Sequence, residues 1–385
     1  MEKFAVATSS GSISLFTLKG NLINCSDDMM GEIVHLNTFQ IFPESIVVTS
    51  LAWHSSSNGP IAVSTSDGNV SILNFCEDYT VLHQHSVINV HGNNEAWIVA
   101  FSMDLDHLHA GTYDTYVTHG QYDQHGNVQP PRKDQFQRFM SPLQGVYSGG
   151  DDSLLRFAKF SRNKEGHTVP DYPASGLQHA GADIFGGHNA GVTAILPIPL
   201  IGQHILVTGS YDDHVRVYAI YDHRSSTENR KAKVLAELNI GGGVWRLTFL
   251  EDYANESDCV DAYLRRETKD TTFRIMASCM QGGVRVLEVT GHPGGEWTIK
   301  AIAELKFNTT NDLVYAGDVQ PAGSPLRDNP DSVYNENGEE YLFVSANFYE
   351  KQLCVWKYYK PTSPLSPKTA YLRSKKTLYG DDSTN

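Results

Sequence analysis

The chain has 385 residues, of which 40% are apolar, and this is enough to build a large buried core. It carries 30 basic and 44 acidic side chains, and the formal net charge of −14 argues against nucleic-acid binding through the phosphate backbone. Its five scattered cysteines contain no C-x-x-C pair and predict reduced thiols rather than a disulfide or zinc framework. With neither a long apolar run nor a signal-like start, we expect a cytoplasmic protein that does not enter a membrane.

Six β-hairpins are recognisable along the chain, each made of two alternating or β-branched runs around a Gly, Ser, Asp or Asn turn. They lie at residues 4–18, 61–75, 145–160, 187–220, 273–289 and 341–358. Further strands are predicted ahead of four of them, at residues 47–53, 96–103, 241–250 and 312–320.

The fourth hairpin region has the layout of one WD repeat. It opens with Gly187-His188, reaches the turn Ser210-Tyr211-Asp212-Asp213 and closes on a strand that ends in Tyr218. Such a repeat forms one four-stranded propeller blade, which cannot bury its two faces without neighbouring blades. We therefore predict an all-β fold, a WD40 β-propeller covering residues 1–360.

Polar inserted segments separate the hairpins and are predicted to be loops at residues 104–142, 161–186, 251–272 and 322–340. A Pro-, Ser- and Lys-rich segment without periodicity, residues 361–385, is predicted to be a disordered tail. We expect no metal and no cofactor, because a polar loop gives no reason for three or four ligands to converge. That expectation includes the histidines of the first insertion, His107, His109, His119 and His125.

Several segments are more specific than a general WD repeat. They are EAWIVAF (95–101), YSGGDDSLLR (147–156), HNAGV (188–192), TGSYDDHVRV (208–217), GGGVWR (241–246), SCMQGGVRV (278–286), LVYAGD (313–318) and SANFYEKQLCVW (345–356). In these segments the chain resembles the WD-repeat diphthine methyl esterases of the diphthamide pathway. It departs from that family in two ways. The family implies seven blades where six hairpins are recognisable, with residues 31–45 at the expected place of a further blade, and Val319 replaces a preferred aromatic residue.

The resemblance implies a hydrolase that removes the methyl ester from methylated diphthine, the modified histidine of elongation factor 2, giving diphthine and methanol. Its partner would be elongation factor 2 carrying that residue, and we expect a monomer. The alternative is a non-catalytic WD adaptor for protein complexes, for example in trafficking, because most WD propellers are scaffolds. A general adaptor would not need GGGVWR or YAGD, and these two segments favour the esterase.

The specific segments fall on hairpin turns and entry loops, which lie on one face of a propeller. A pocket at the channel mouth would suit the quaternary ammonium of methylated diphthine, at about 0.5–2 kcal/mol per cation–π contact. The carboxylate of Asp151 or Asp213 would supply the opposite charge. The aromatic candidates could instead pack between blades. The candidate substrate-binding residues are Trp97, Tyr211, Trp245, Tyr349, Asp318, Gly242 and Gly243.

Ester hydrolysis needs a nucleophile with a base, or a base-activated water, together with oxyanion donors. No G-x-S-x-G elbow occurs in the chain, which excludes the usual α/β-hydrolase site. His188, Ser210 and Asp212 could form a triad, or a buried structural network that ends in Tyr218. Cys279 could be a thiolate nucleophile or a small buried residue.

The amides of residues 241–243 could stabilise an oxyanion, or the glycines could serve the turn alone. We hypothesise that a carboxylate or His188 activates water and that Arg246 or these amides face the developing charge. The candidate catalytic residues are accordingly His188, Asp151, Asp213, Arg246 and Cys279.

Overall fold

A computed structural model gives the structure of the chain, and its described residues form antiparallel β-sheets without a helix. The described residues are 3–19, 32–54, 60–76, 78–102, 121–122, 128–129, 145–162, 168–170, 182–184, 187–198, 204–221, 231–250, 271–291, 296–306, 313–320, 340–359 and 371–377.

Six sheets follow one another along the chain and are called blades 1–6. Blade 1 has three strands, β1 (Lys3–Ala7), β2 (Ser12–Lys19) and β3 (Glu32–Gln40). Blade 2 has four strands, β4 (Val48–Trp53), β5 (Ile61–Thr65), β6 (Asn69–Phe75) and β7 (Leu82–Asn89). A separate antiparallel pair, β9 (Gln121–Tyr122) and β10 (Val128–Gln129), falls in the sequence between two strands of blade 3.

Blade 3 contains β8 (Ala96–Phe101), β11 (Gly145–Gly150) and β12 (Leu155–Arg162), with β13 (Thr168–Pro170) and β14 (Ala182–Ile184) both pairing β12. Blade 4 contains β15 (Val192–Ile198), β16 (His204–Ser210), β17 (His214–Tyr221) and β18 (Lys231–Asn239). Blade 5 contains β19 (Arg246–Phe249), β20 (Thr271–Ser278), β21 (Val284–Gly291) and β22 (Trp297–Leu305). Blade 6 contains β23 (Val314–Val319), β24 (Glu340–Asn347), β25 (Gln352–Tyr359) and β26 (Tyr371–Thr377).

The core lies between the blades, as a propeller requires. Apolar clusters join each blade to the next, and one between blades 5 and 6 contains Phe343 stacked on Trp356 at 4.2 Å. The innermost strands β4, β8, β15, β19 and β23 contact one another in that order. The all-β propeller architecture and the six hairpins predicted from the turns are confirmed.

Two segments differ from the sequence-based expectation. Residues 31–45, the expected place of a further blade, instead contain β3, the outer strand of blade 1, and the described residues form six blades rather than seven. The predicted disordered tail contains β26, which pairs β25 from Gln352 to Lys357 and completes blade 6. Both are outer strands. An outer strand pairs with one neighbouring strand, so its sequence needs little alternation of apolar and polar side chains.

The predicted insertions lie largely outside the described residues. The four histidines of the first insertion, at positions 107, 109, 119 and 125, are among the residues left undescribed. The second insertion contributes β13 and β14, which pair β12. None of the described elements is a helix that could cross a membrane.

Candidate functional site

A row of aromatic rings crosses from blade 3 to blade 6 at one end of the innermost strands. Trp97 lies 5.6 Å from Trp245, and the ring of Tyr211 contacts both, at 6.3 Å from Trp97 and 5.7 Å from Trp245. Tyr315 lies 4.9 Å from Trp245 in an edge contact. These four half-buried side chains are called the aromatic cluster. Three of the four predicted aromatic binding residues are therefore brought together.

Tyr211 reaches the cluster from the hairpin turn of blade 4, and the other three rings reach it because the innermost strands are bulged. The pairing register of β8 with β11 skips Trp97, and that of β23 with β24 skips Tyr315. Trp245 occupies the corresponding place immediately before β19. A bulge inserts one unpaired residue and redirects its side chain, which a regular strand would place on a packed face.

Tyr315 was not singled out from the sequence, although it lies within LVYAGD. The sequence feature that could have identified it is a local pattern, in which a small or β-branched residue directly precedes an aromatic residue at the bulge. That pattern recurs in Ala96-Trp97, Val244-Trp245 and Val314-Tyr315. Phe348 was also missed, and its ring lies 5.9 Å from Tyr315.

The carboxylate of Asp151 lies beside the cluster. It accepts a hydrogen bond from the Trp97 indole at 3.4 Å, and a Cβ at Gly191 would lie 3.1 Å from Asp151 Oδ1 and 3.2 Å from the Tyr211 ring. Burial, followed by the charges of Tyr315, Asp151 and Glu95, raises the pKa of Tyr211 to about 12. Tyr211 is therefore neutral at physiological pH, and the Asp151 carboxylate beside the rings suits a cation.

The glycine segment before β19 packs on the other side of Tyr211. A Cβ on Gly243 would lie 2.7 Å from Met280 Sδ and 3.4 Å from Tyr211 Cδ1, whereas one on Gly242 would overlap the Cys279 carbonyl oxygen. The preceding residue is held in place, because the Gly241 amide donates a hydrogen bond to the Asn239 side chain. The buried amides of Gly242 and Gly243 donate no hydrogen bond to any described residue. Such orphan donors are rare in proteins, which suits them to an incoming oxygen.

Arg246 is a largely buried guanidinium on the same segment. Its Nη1 donates to the Trp245 carbonyl at 2.9 Å, and its charged group lies 5.4 Å from the Trp245 ring. Among the described residues no carboxylate lies within ion-pair distance of it, and desolvation lowers its pKa. A guanidinium held only by carbonyls and a ring is suited to bind an anionic group.

His188 lies in a buried network instead of the cluster. Its Nε2 lies 2.8 Å from Thr208 Oγ1, and its Nδ1 lies 3.2 Å from Asp212 and 2.5 Å from Arg216 Nη1. Its side chain is 1% exposed, and burial lowers its pKa to about 4. Both ring nitrogens have partners and the side chain is almost fully buried, so the geometry favours the structural network over the triad.

The hydroxyl partner in this network differs from the one expected. Ser210 Oγ donates to the Ala190 carbonyl. The hydroxyl that is hydrogen-bonded to the histidine belongs to Thr208, two residues earlier on the same face of β16. Tyr218 lies at the end of the network, with its ring 6.3 Å from His188. Although burial opposes it, hydrogen bonds from the Asn189 amide and Arg216 lower the pKa of Asp212 to about 2.

Blade 3 carries a second copy of this network. His91 Nδ1 lies 2.9 Å from Asp152 and its Nε2 lies 2.9 Å from Ser148 Oγ, while Arg156 donates to Asp152 at 3.0 Å. Because the same four roles recur in two blades, the arrangement has a common structural explanation. It links the loop that enters each blade to its hairpin.

The remaining predicted residues are not members of the aromatic cluster. Cys279 is fully buried, and burial raises the pKa of its thiol to about 12, so it is protonated at neutral pH. Asp213 has φ 65° and takes the left-handed position of its turn, as Ser153 does in blade 3. Asp318 is exposed on β23, and its carboxylate accepts from the Val319 amide at 2.8 Å. Tyr349 is 63% exposed, and its ring lies 5.3 Å from that of Phe348 beside the cluster.

No group of three or more potential metal ligands occurs within the part of the chain that the structure describes. The chemistry available at the cluster is therefore that of aromatic faces, a carboxylate, a guanidinium and two free amides.

A model of the WD domain, G-beta repeat family matches residues 182–219, which include His188, the first two strands of blade 4 and most of the third. The chain is also similar to curated proteins named diphthine methyltransferase. It is 25% identical to that of Schizosaccharomyces pombe over 170 residues, which cover 44% of this chain and 38% of that protein. It is 28% identical to that of Mus musculus over 201 residues, which cover 50% of this chain and 31% of that protein.

The similar human protein, also named diphthine methyltransferase, is 34% identical over 179 residues, which cover 45% of this chain and 28% of that protein. The alignments thus span roughly a third of the length of these relatives, at 38%, 31% and 28%. The resemblance inferred from the sequence segments is confirmed at this level.

Proposed function

We propose that the protein acts in diphthamide biosynthesis and removes the methyl ester from methylated diphthine on elongation factor 2. The names of its relatives point to a methyl group on diphthine. The observation that carries the proposal is the aromatic cluster with Asp151 on one side and the two free glycine amides on the other. We place the reaction in the cytoplasm and assign it to the monomer.

The cluster supports recognition of the quaternary ammonium. Trp97, Tyr211 and Trp245 come from three successive blades, so their relative positions are held by the propeller rather than by one flexible loop. A cation that contacts two or three such faces gains about 0.5–2 kcal/mol at each. The nearby carboxylate of Asp151 adds a favourable charge interaction.

The opposite side of the cluster supports acyl chemistry. In methylated diphthine the ammonium and the ester are attached to the same carbon, so a bound cation brings the ester within reach of the glycine segment. Water attacks the ester carbonyl carbon and forms a tetrahedral oxyanion, to which the Gly242 and Gly243 amides donate. The bond to the methoxy oxygen then breaks, and methoxide takes the proton that left the attacking water. The products are diphthine and methanol.

Asp151 and Arg246 take different roles in this scheme. Asp151 accepts the proton of the attacking water and passes it to the leaving methoxide. Arg246 binds the negative charge that forms in the product carboxylate, since it has no other carboxylate partner among the described residues. His188 stabilises blade 4 and is not used as the base.

A reaction in water labelled with heavy oxygen tests this proposal. Purified protein is incubated with a peptide or elongation factor 2 that carries methylated diphthine. Hydrolysis at the carbonyl places the heavy oxygen in the diphthine carboxylate and leaves it out of methanol. Heavy methanol would show attack on the methyl group, and a gain of methyl mass would show methylation. Either of those results would contradict the proposed reaction.

Two variants connect the reaction to the site. Asp151→Asn keeps the size of the side chain and removes its charge, and we expect a large loss of turnover. Asp67→Asn is the control, because Asp67 lies in the equivalent hairpin of blade 2 and bonds to Thr65 and Asn69. Binding of elongation factor 2 without turnover, by folded protein, would support the adaptor function instead.

A further inference from the structure

The bulged position of the innermost strands carries threonine in two blades and aromatic residues in three. The register of β4 with β5 skips Thr49, and that of β15 with β16 skips Thr193. These positions correspond to those of Trp97, Trp245 and Tyr315. The two threonines therefore occupy the same ring of sites as the aromatic cluster, without contributing a ring.

Each threonine hydroxyl crosses to the next blade. Thr193 Oγ1 donates to the Val244 carbonyl of blade 5, and it also reaches the Gly209 carbonyl at 3.4 Å. Thr49 Oγ1 donates to the Ala96 carbonyl of blade 3 and lies 2.9 Å from Ser64 Oγ. In both cases the acceptor belongs to the residue immediately before a tryptophan of the cluster.

We propose that Thr49 and Thr193 are positioning residues that fix the directions of the Trp97 and Trp245 indoles. The carbonyl oxygen of one residue and the amide nitrogen of the next share a rigid plane. A hydrogen bond to the Val244 oxygen therefore fixes the plane from which Trp245 extends. The consequence for turnover rests on the proposed function, whereas the consequence for the rings does not.

Main-chain hydrogen bonds hold the same segments beside the threonine hydroxyls, and the Val244–Trp245 peptide plane is thus held at its oxygen by Thr193 and at its nitrogen by a second bond. The Trp245 amide donates to the Ser278 carbonyl at 2.8 Å, and the Val244 amide donates to the Ser210 carbonyl at 2.9 Å. Near the other tryptophan, the Glu95 carbonyl accepts from the Asp151 amide at 2.9 Å. A hydrogen bond from a threonine hydroxyl to a main-chain carbonyl thus connects blade 2 to blade 3 and blade 4 to blade 5.

The contact between the two indoles gives a direct measurement. Two tryptophan rings at 5.6 Å and an interplanar angle of 62° produce a coupled signal in circular dichroism. Loss of that signal in Trp97→Phe and in Trp245→Phe assigns it to this pair. Thr193→Val and Thr49→Val remove the hydroxyls with little change in shape, and Thr193→Ser keeps the hydroxyl.

We expect the coupled signal to fall in Thr193→Val and in Thr49→Val and to return in Thr193→Ser. Thr65→Val is the matched control, because Thr65 is 1% exposed and its hydroxyl also makes two hydrogen bonds, within the blade 2 hairpin. It should lose comparable stability and keep the signal. An unchanged signal in folded Thr193→Val, or no coupled signal in the unsubstituted protein, would overturn the proposal.

Turnover of methylated diphthine provides a second measurement. We expect Thr193→Val to raise KM roughly three- to tenfold, in line with one lost hydrogen bond, with a smaller change in kcat. Thr193→Ser and Thr65→Val should keep KM near its original value. If the unsubstituted protein shows no turnover, the proposed function fails, while the dichroism of the threonine variants still decides the positioning role.

Discussion

The indole of Trp97 in blade 3 lies 5.6 Å from the indole of Trp245 in blade 5, across the intervening blade 4. The Tyr211 ring, on the hairpin turn of blade 4, contacts both of them. Residues of three different blades thus meet at one end of the innermost strands. This meeting point, with Asp151 and the amides of the glycine segment beside it, is the basis of the proposed site.

Replacing Trp245 with leucine is predicted to weaken binding of a quaternary ammonium such as tetramethylammonium. Each lost cation–π contact should raise the dissociation constant by the equivalent of about 0.5–2 kcal/mol. The control is Trp53→Leu, because Trp53 is also half-buried on an innermost strand but stacks on Phe75 in blade 2. Calorimetric titration measures both, and equal affinities in the two variants would contradict the aromatic cluster as the cation site.

The stability of the protein should fall as the pH drops from about 6.5 to about 4. Mainly because of burial, the pKa of His188 is lowered in the fold from its ordinary value of about 6.5 to about 4. In that window the unfolded chain binds a proton that the folded protein excludes, so the free energy of unfolding decreases on acidification, by on the order of 3 kcal/mol.

Urea unfolding at pH 7 and pH 5 measures this difference. The pH dependence should shrink in His188→Asn, which also loses stability because it breaks the buried network. His214→Gln is the control, since His214 lies in the same hairpin with 26% of its side chain exposed. An undiminished pH dependence in His188→Asn would show that another group is responsible.

Cys279 should be unreactive in the folded protein. Its thiol is buried, its pKa is raised to about 12, and its Sγ donates to the Ala277 carbonyl at 3.3 Å. We predict that iodoacetamide labels the partly exposed Cys76 before Cys279 and reaches Cys279 only on unfolding. Mass spectrometry of labelled peptides gives the order. Rapid labelling of Cys279 that abolishes turnover would instead support Cys279 as the nucleophile.

Alanine at Gly242 and at Gly243 should have different effects. At Gly242 the new Cβ meets the main-chain oxygen of Cys279, which cannot move easily, so the variant should be strongly destabilised. At Gly243 the nearest atom is Sδ of Met280, the flexible part of a side chain, so the variant should fold. We predict that Gly243→Ala keeps most of its melting temperature and loses turnover, because the methyl group crowds the oxyanion donors. A folded Gly243→Ala with full turnover would exclude this segment from the chemistry.

The sequence predicted the hairpins well because turn residues carry their own signals. Asp212 was placed correctly in its turn, and Trp97, Tyr211 and Trp245 do converge. The outer strands β3 and β26 were missed because they pair along one edge and show weak alternation.

Features that depend on register were harder to predict. A strand alternates its faces every residue, so the bulge that redirects Tyr315 reverses the expected direction of its side chain. His188 bonds to Thr208 rather than to Ser210, although both residues belong to β16. The turn motif includes Ser210 but does not show which hydroxyl lies within hydrogen-bond distance of the histidine ring. The blade 3 network was overlooked since His91 precedes its glycine instead of following it.

The most direct test of the central claim is the intact mass of elongation factor 2 carrying methylated diphthine, before and after incubation with the protein. We expect loss of one methylene mass at the modified histidine, with methanol released, and a slower loss with Trp245→Leu than with Trp53→Leu. An unchanged mass after incubation with folded protein would contradict the claim.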